Sequence, residues 1–231
     1  MTSMDELGTV LMIWAHPDDE TYLAGGVSAL LTDAGHRVVC ITATRGEAGG
    51  DGQVRTAELD AALEVLGVSE HHWLDCPDGG CADVDATEAA THIRAIVDEV
   101  QPDTVLTFGP DGITGHPDHQ TVSAWTDRAL EGYDARLLHA VSRDMVIDQA
   151  LDEDFGVYEL GQPRVCADDE IDLLLELDDS TLDRKVKALL LQESQTGGLV
   201  GAVGPERFRA WVAYEAFARP LPGQERDPLM P

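Results

Sequence analysis

Lysine is nearly missing from this chain. Lys185 and Lys187 are the only two among 15 basic residues, against 44 acidic ones, for a formal net charge of −29 over 231 residues. A surface of that sign repels nucleic-acid phosphates and anionic lipid headgroups, so nucleic-acid and membrane-surface roles are not expected. No apolar run approaches the roughly 20 residues of a membrane span, and residues 1–8 lack the basic start and apolar centre of a secretory signal. A soluble, cytoplasmic protein is the expectation. Cysteine is scarce too. Cys40, Cys76, Cys81 and Cys166 form no Cys-x-x-Cys pair and no zinc-finger spacing with histidine. Cys76 and Cys81 bracket a Pro-Asp-Gly-Gly turn, where a disulfide is disfavoured in a reducing compartment. No Gly-x-Gly-x-x-Gly follows the first strand and no Walker lysine is present, which argues against a nucleotide-binding module.

What is present is a regular alternation. Thr9 to Trp14 is an apolar run that reads as a buried strand, and Tyr22 to Leu31 has helical spacing. Arg37 to Thr44 reads as strand two, Val54 to Leu66 as a helix closed by Gly67, and His71 to Leu74 as a short third strand. Asp85 to Val100 reads as a helix, Thr104 to Phe108 as strand four, Gln120 to Leu130 as a helix and Arg136 to Ser142 as strand five. The order predicts an α/β fold, a Rossmann-like, doubly wound, mostly parallel sheet in the order 3-2-1-4-5. From Ser142 to Pro163 the pattern suggests loops with one antiparallel strand. Further on, Glu170 to Leu177 reads as a strand and Ser180 to Glu193 as a helix with Ser180 as N-cap. Glu206 to Ala218 reads as a last helix. The chain is expected to form a single domain over 1–231, with a core at 1–142 and a small strand-helix extension at 143–231.

Two blocks carry the chemistry. Ala15-His16-Pro17-Asp18-Asp19-Glu20 follows strand one and Gly115-His116-Pro117-Asp118-His119 follows strand four. In a 3-2-1-4-5 sheet these strands are neighbours whose helices leave toward opposite faces, so both blocks meet at the crevice where ligands bind. Pro17 suits a first helical position, which sets His16 and Asp19 three apart at a helix start. With His119 they make a two-His, one-carboxylate set for Zn2+, and Fe2+ or another divalent metal uses the same donors. A divalent ion there lowers the pKa of bound water toward ~7. Asp18 is placed to take the proton as general base. His116 is placed to donate to a carbonyl oxygen or to a leaving amine, with Asp118 holding its imidazole, or alternatively to serve as a fourth ligand. The remaining histidines, His36, His71, His72, His92 and His139, read as structural or surface residues, with a second metal site at His71-His72 the weaker alternative.

These two blocks resemble the signatures of the PIG-L / LmbE-like family of zinc-dependent N-acetylglucosamine deacetylases. Thr44-Arg45-Gly46-Glu47, Arg55-x-x-Glu58, Leu66-Gly67, Pro77-Asp78-Gly79-Gly80, Lys187-Ala188-Leu189 and Ser194-Gln195 are similar to further family segments. The resemblance implies His16, Asp19 and His119 on zinc, Asp18 as base, and His116 as electrophile or acid oriented by Asp118. It also implies Arg55, Asp78 and Glu47 against the substrate's sugar or aglycone. Its implied activity is zinc-dependent hydrolysis of the N-acetyl amide of an N-acetylglucosamine-type small molecule by a homo-oligomer, trimeric or hexameric. An amidase acting on thiol-sugar conjugates of the mycothiol or bacillithiol kind is the second reading, and a catalytically dead metal-binding protein the third. Two departures bear on substrate choice. Glu193 stands where many members have a His before Ser-Gln, and Thr114 where mycothiol-pathway members carry a Tyr that helps the oxyanion.

The charge itself generates a prediction. Self-repulsion of a net −29 chain is long-ranged at about 0.1 M salt and confined to ~3 Å at about 1 M. The melting temperature is expected to rise from dilute buffer to molar KCl. Equal melting in both, followed by circular dichroism, would count against adaptation to high salt.

Overall fold

The computed structural model describes residues 2–143 and 156–221. Its centre is β1 (Val10–Trp14), five consecutive residues with no solvent exposure. A strand covered on both faces has no polar side to present, which is why the run is unbroken Val-Leu-Met-Ile-Trp. β2 (Val38–Thr44) and β4 (Thr104–Phe108) flank it in parallel, with Met12 opposite Cys40 on one side and Leu106 on the other. β3 (Glu70–Cys76) pairs outside β2 and β5 (Arg136–Ala140) outside β4, both parallel. The expected 3-2-1-4-5 order is therefore observed, and two antiparallel strands, Tyr214–Ala218 and then Leu173–Glu176, extend it beyond β5.

Helices cover both faces. α1 (Asp19–Asp33) and α2 (Gly52–Leu66) pack with α6 (Asp179–Leu191), while α3 (Ala86–Val100) packs with α5 (Pro117–Ala129). Their starts follow capping chemistry. The Asp51 carboxylate accepts the Gln53 amide, and the Asp85 carboxylate accepts those of Thr87 and Glu88. α2 ends at Gly67 with φ 80°, a left-handed closure.

Several expectations are corrected. The last helix does not run from Glu206 to Ala218. After α7 (Glu193–Val203), α8 (Pro205–Trp211) stops, and Tyr214–Ala218 becomes β9, antiparallel between β5 and β8 (Leu173–Glu176). The spacing of Phe208, Trp211 and Val212 is genuinely helical, but Phe217 and Ala218 are fully buried at the open edge of β5, and tertiary pairing overrides local propensity. The sequence strand 170–177 shortens to β8. α6 is capped by the Asp178 carboxylate on the Thr181 amide, not by Ser180, whose hydroxyl donates to Asp178. β6 (Ser142–Arg143) and β7 (Val165–Cys166) form a short parallel pair, and no antiparallel strand lies among the described residues of 142–163. Residues 144–155 of that stretch lie outside the described residues. α5 begins at Pro117, so the second block forms its first turn. Pro17, by contrast, precedes α1. Asp18 turns the chain with φ 112° and the helix begins at Asp19. All four cysteines are free thiols.

The extra strand also supports α1. The helix is interrupted at Ala24 (φ −139°, ψ 16°), which frees amides below it. The Glu215 carboxylate of β9 accepts the Gly26 and Val27 amides at 2.6 and 2.8 Å and pairs with Lys185 Nζ at 2.8 Å. Both charged side chains have 0% exposure. Glu215→Ala would leave a buried ammonium and two amides without partners, at an expected cost of about 3–5 kcal/mol in chemical denaturation. Adding Lys185→Met should recover part of that loss. A loss below about 1 kcal/mol would mean that the pair behaves as a solvated one.

Candidate active site

The first block leaves β1 at Ala15, whose carbonyl accepts the Thr44 amide at 2.9 Å. Asp18 then adopts a backbone that non-glycine residues rarely occupy, and three contacts hold it there. The Asp18 amide donates to Glu20 Oε2 at 3.0 Å. Arg55 Nη2 donates to the Pro17 carbonyl at 2.7 Å and lies 3.6 Å from Asp18 Oδ2. Arg55 Nη1 donates to the Gly46 carbonyl at 2.8 Å, and Gly46 has φ 68° with the guanidinium where a Cβ would sit. Arg55 is thus 4% exposed, with Nη1 and Nη2 given to the two loops and its buried Nε left without a hydrogen-bond partner.

The second block follows β4 through a one-turn helix, α4 (Gly112–Gly115), in which Ile113 also has positive φ. His119 stacks on Phe108 at 4.1 Å between centroids, and its Nδ1 donates to the Gly112 carbonyl at 2.9 Å. That bond leaves the Nε2 lone pair turned inward. His16 is the mirror case. Its Nε2 lies 3.0 Å from Asp78 Oδ1 and 3.3 Å from Asp118 Oδ2, which leaves Nδ1 turned inward. The two inward nitrogens are 3.1 Å apart. Asp19 completes the group, with Oδ2 3.6 Å from His16 Nδ1 and Oδ1 3.4 Å from His119 Nε2.

Two imidazole lone pairs facing each other beside a carboxylate repel unless a cation or a proton lies among them. Their separations suit donors sharing one ion at about 2.0–2.2 Å. Asp78 and Asp118 add further negative charge beside His16, and Arg55 is the guanidinium beside Asp18. The donor set therefore fits a divalent cation. His16, His116 and His119 also offer nitrogens within 4.8 Å of one another. The protonation tendencies agree with this crowding. Burial lowers the affinity of His16 for a proton, but Asp118, Asp19 and Asp78 outweigh it and hold the pKa well above the ordinary value. Burial opposes ionisation of Asp19, yet His119 and His16 bring its pKa down to about 2. Asp78 is likewise brought to about 2, chiefly by its bond to His16. Asp18 moves the other way. Burial, and then the adjacent Asp19 carboxylate, raise it well above the usual carboxylate range.

Asp118 corrects the sequence reading. Its carboxylate does not hold His116. It accepts the Gly79 and Cys81 amides at 2.7 and 3.1 Å and faces His16. His116 instead caps α5, its Nδ1 accepting the Asp118 amide at 3.2 Å, and its ring lies 4.8 Å from that of His16. Glu47 and Asp78 are tied together, since Glu47 Oε1 accepts the Asp78 amide at 3.0 Å and Asp78 Oδ2 the Ala48 amide at 2.8 Å. Glu193 is exposed. The residue that sequence reasoning missed is Gln192, buried at 1% exposure, whose Nε2 donates to Glu20 Oε1 at 2.8 Å and to Thr21 Oγ1 at 3.0 Å. The nearest sequence cue was a glutamine beside Ser194-Gln195, and nothing in its spacing pointed at Glu20.

Residues 11–130 match the model of the family described as PIG-L: GlcNAc-PI de-N-acetylase. A 1D-myo-inositol 2-acetamido-2-deoxy-alpha-D-glucopyranoside deacetylase of Corynebacterium glutamicum (strain R) is 30% identical over 95% of this chain and 90% of its own length. The protein of that name from Kineococcus radiotolerans is 36% identical over 55% of this chain and 46% of its own, so that match spans about half the relative. Among solved structures, the N,N'-diacetylchitobiose deacetylase of Pyrococcus horikoshii superposes with a TM-score of 0.68 at 20% identity, over 93% of this chain and 84% of that one. The chain therefore belongs to the PIG-L, GlcNAc-PI de-N-acetylase family of amide hydrolases.

Proposed function

We propose that this chain hydrolyses the N-acetyl amide of an N-acetylglucosamine-type substrate, releasing acetate and a free amine. The observation that carries the reading is the convergence of His16 Nδ1, His119 Nε2 and Asp19 on one point, with Asp18 beside them. These three residues would hold the divalent ion, with zinc as the favoured one. When bound, such an ion supplies Lewis acidity and acidifies water toward a pKa of ~7.

The chain's own groups do the rest. Asp18, beside the ligand Asp19, takes a proton from the attacking water as the oxygen joins the carbonyl carbon. It returns that proton to the amine nitrogen as the carbon–nitrogen bond breaks. His116 is better suited to donating a hydrogen bond than a proton. Its Nδ1 is occupied by the Asp118 amide, so the neutral ring carries its hydrogen on Nε2, and burial followed by the charge of His16 lowers its pKa. A neutral N–H aimed at the developing oxyanion is the role this favours. Asp118 and Asp78 fix the tautomer of His16.

Three predictions test the assignment. Asp18→Asn should cut acetate release by at least about 100-fold while bound metal, measured by plasma mass spectrometry, stays near that of the parent. Chelation should stop the parent, and zinc should restore it. Loss of metal in Asp18→Asn would make Asp18 a ligand instead, and turnover indifferent to chelators would reject the reading. His116→Ala should lower kcat by about 100–1000-fold, whereas His116→Gln, which keeps an N–H donor, should retain part of that rate. Equal loss in both would return His116 to the role of proton donor.

A further inference from the structure

The candidate site has two unlike sides. Past His16 the wall is polar, formed by Asp78 and Glu47, and beyond it lies an open groove lined by Arg45, Glu47, Asp51, Gln53 and Asp75. Past Asp19 and His119 lies a cavity of about 300 Å³ walled by Tyr22, Leu23, Ile113, Leu199, Trp211 and Tyr214. Thr114, Ser142 and Tyr158 also line that second wall, and several of its polar groups are committed within the protein. The Tyr22 hydroxyl donates to Thr196 at 3.4 Å, and Tyr214 bonds Ser142 at 3.2 Å. Glu215 is held by Lys185 and by the Gly26 and Val27 amides. A hydroxyl-rich ring placed there would give up its bonds to water for few in return, whereas a hydrocarbon chain would lose nothing.

An amide carbon has one substituent on its nitrogen and one on its own carbon. With the sugar on the polar side, the acyl tail faces the cavity. The methyl group of an acetyl fills only a small part of it. We infer that this chain accepts aliphatic N-acyl groups longer than acetyl, so that its preferred substrate is an amino sugar carrying a short- to medium-length linear acyl chain. The inference rests on the hydrolytic reading above. Water supplies hydroxyl to the acyl carbon and a proton to the amine, and a fatty carboxylate leaves in place of acetate.

The test is a series of N-acetyl, N-butanoyl, N-hexanoyl and N-octanoyl glucosamine methyl glycosides, assayed for amine release in molar salt with zinc. N-acetylglucosamine octyl glycoside runs in parallel. The expected result is a rise in kcat/KM of up to about fourfold for each added methylene as the tail enters the cavity. Leu199→Trp, which fills the cavity, should return the hexanoyl-to-acetyl ratio to near one. A flat or falling series with acetyl still turned over would overturn the inference and leave deacetylation standing. A gain only with the octyl glycoside would put an aglycone in the cavity and overturn it as well. No amine from any substrate would overturn the hydrolytic reading and this inference with it.

Discussion

Two nitrogen lone pairs 3.1 Å apart are the constraint around which the rest of this site is arranged. Neither imidazole can turn its other nitrogen inward without breaking a bond. His119 would lose the Gly112 carbonyl. His16 would lose two carboxylates. The rings come from segments about a hundred residues apart, and the parallel pairing of β1 with β4 brings them together. Two strands ending side by side at the point where the chain winds in opposite directions leave a crevice, and each strand delivers one histidine to it.

Holding that arrangement puts strain elsewhere, and the supports can be traced outward. Asp18 sits in an unfavourable backbone region, so Glu20 holds its amide and Arg55 the carbonyl of Pro17 before it. Glu20 is itself buried and is satisfied by Thr21 and Gln192. The interruption of α1 at Ala24 is closed by Glu215, which is neutralised by Lys185. Gln192, Glu215 and Lys185 all belong to the last third of the sequence. That region therefore buttresses the helix that begins the site. One of the two lysines in a chain so poor in them is placed where no water reaches it.

How much of this was legible in the residues differs by kind. The parallel strands were readable because burial on both faces leaves unbroken apolar runs, as in Val10–Trp14. The two His-Pro-Asp blocks were readable because histidine and aspartate at strand ends have few structural uses in that pattern. The strand Tyr214–Ala218 was not readable, since an alanine-containing segment continuing a helical spacing carries no mark of the free edge at β5 that captures it. Orientation was also hidden. Asp118 next to His116 in sequence suggested a pair, but helix geometry aims its carboxylate at His16 and at two amides of a distant loop. Arg55 gave no sign of facing inward, because long side chains reach partners that spacing alone does not disclose. Gln192 depends on a buried Glu20 that no local pattern announces.

The acidity of the chain bears on where affinity for a cation must arise. In dilute buffer a net charge of −29 draws cations toward any opening and pushes a carboxylate product away. At about 1 M salt that field is screened within ~3 Å, so only groups at contact distance contribute. His16, Asp19 and His119 are such groups, and Asp78 and Asp118 stand in direct contact with the outer nitrogen of His16, where they make the ring more basic toward whatever its inner nitrogen faces. The chain's net charge and the compact carboxylate cluster therefore act over different ranges. The first answers to solvent and salt, while the second keeps the candidate cation site selective for positive charge under conditions that remove every longer-ranged attraction.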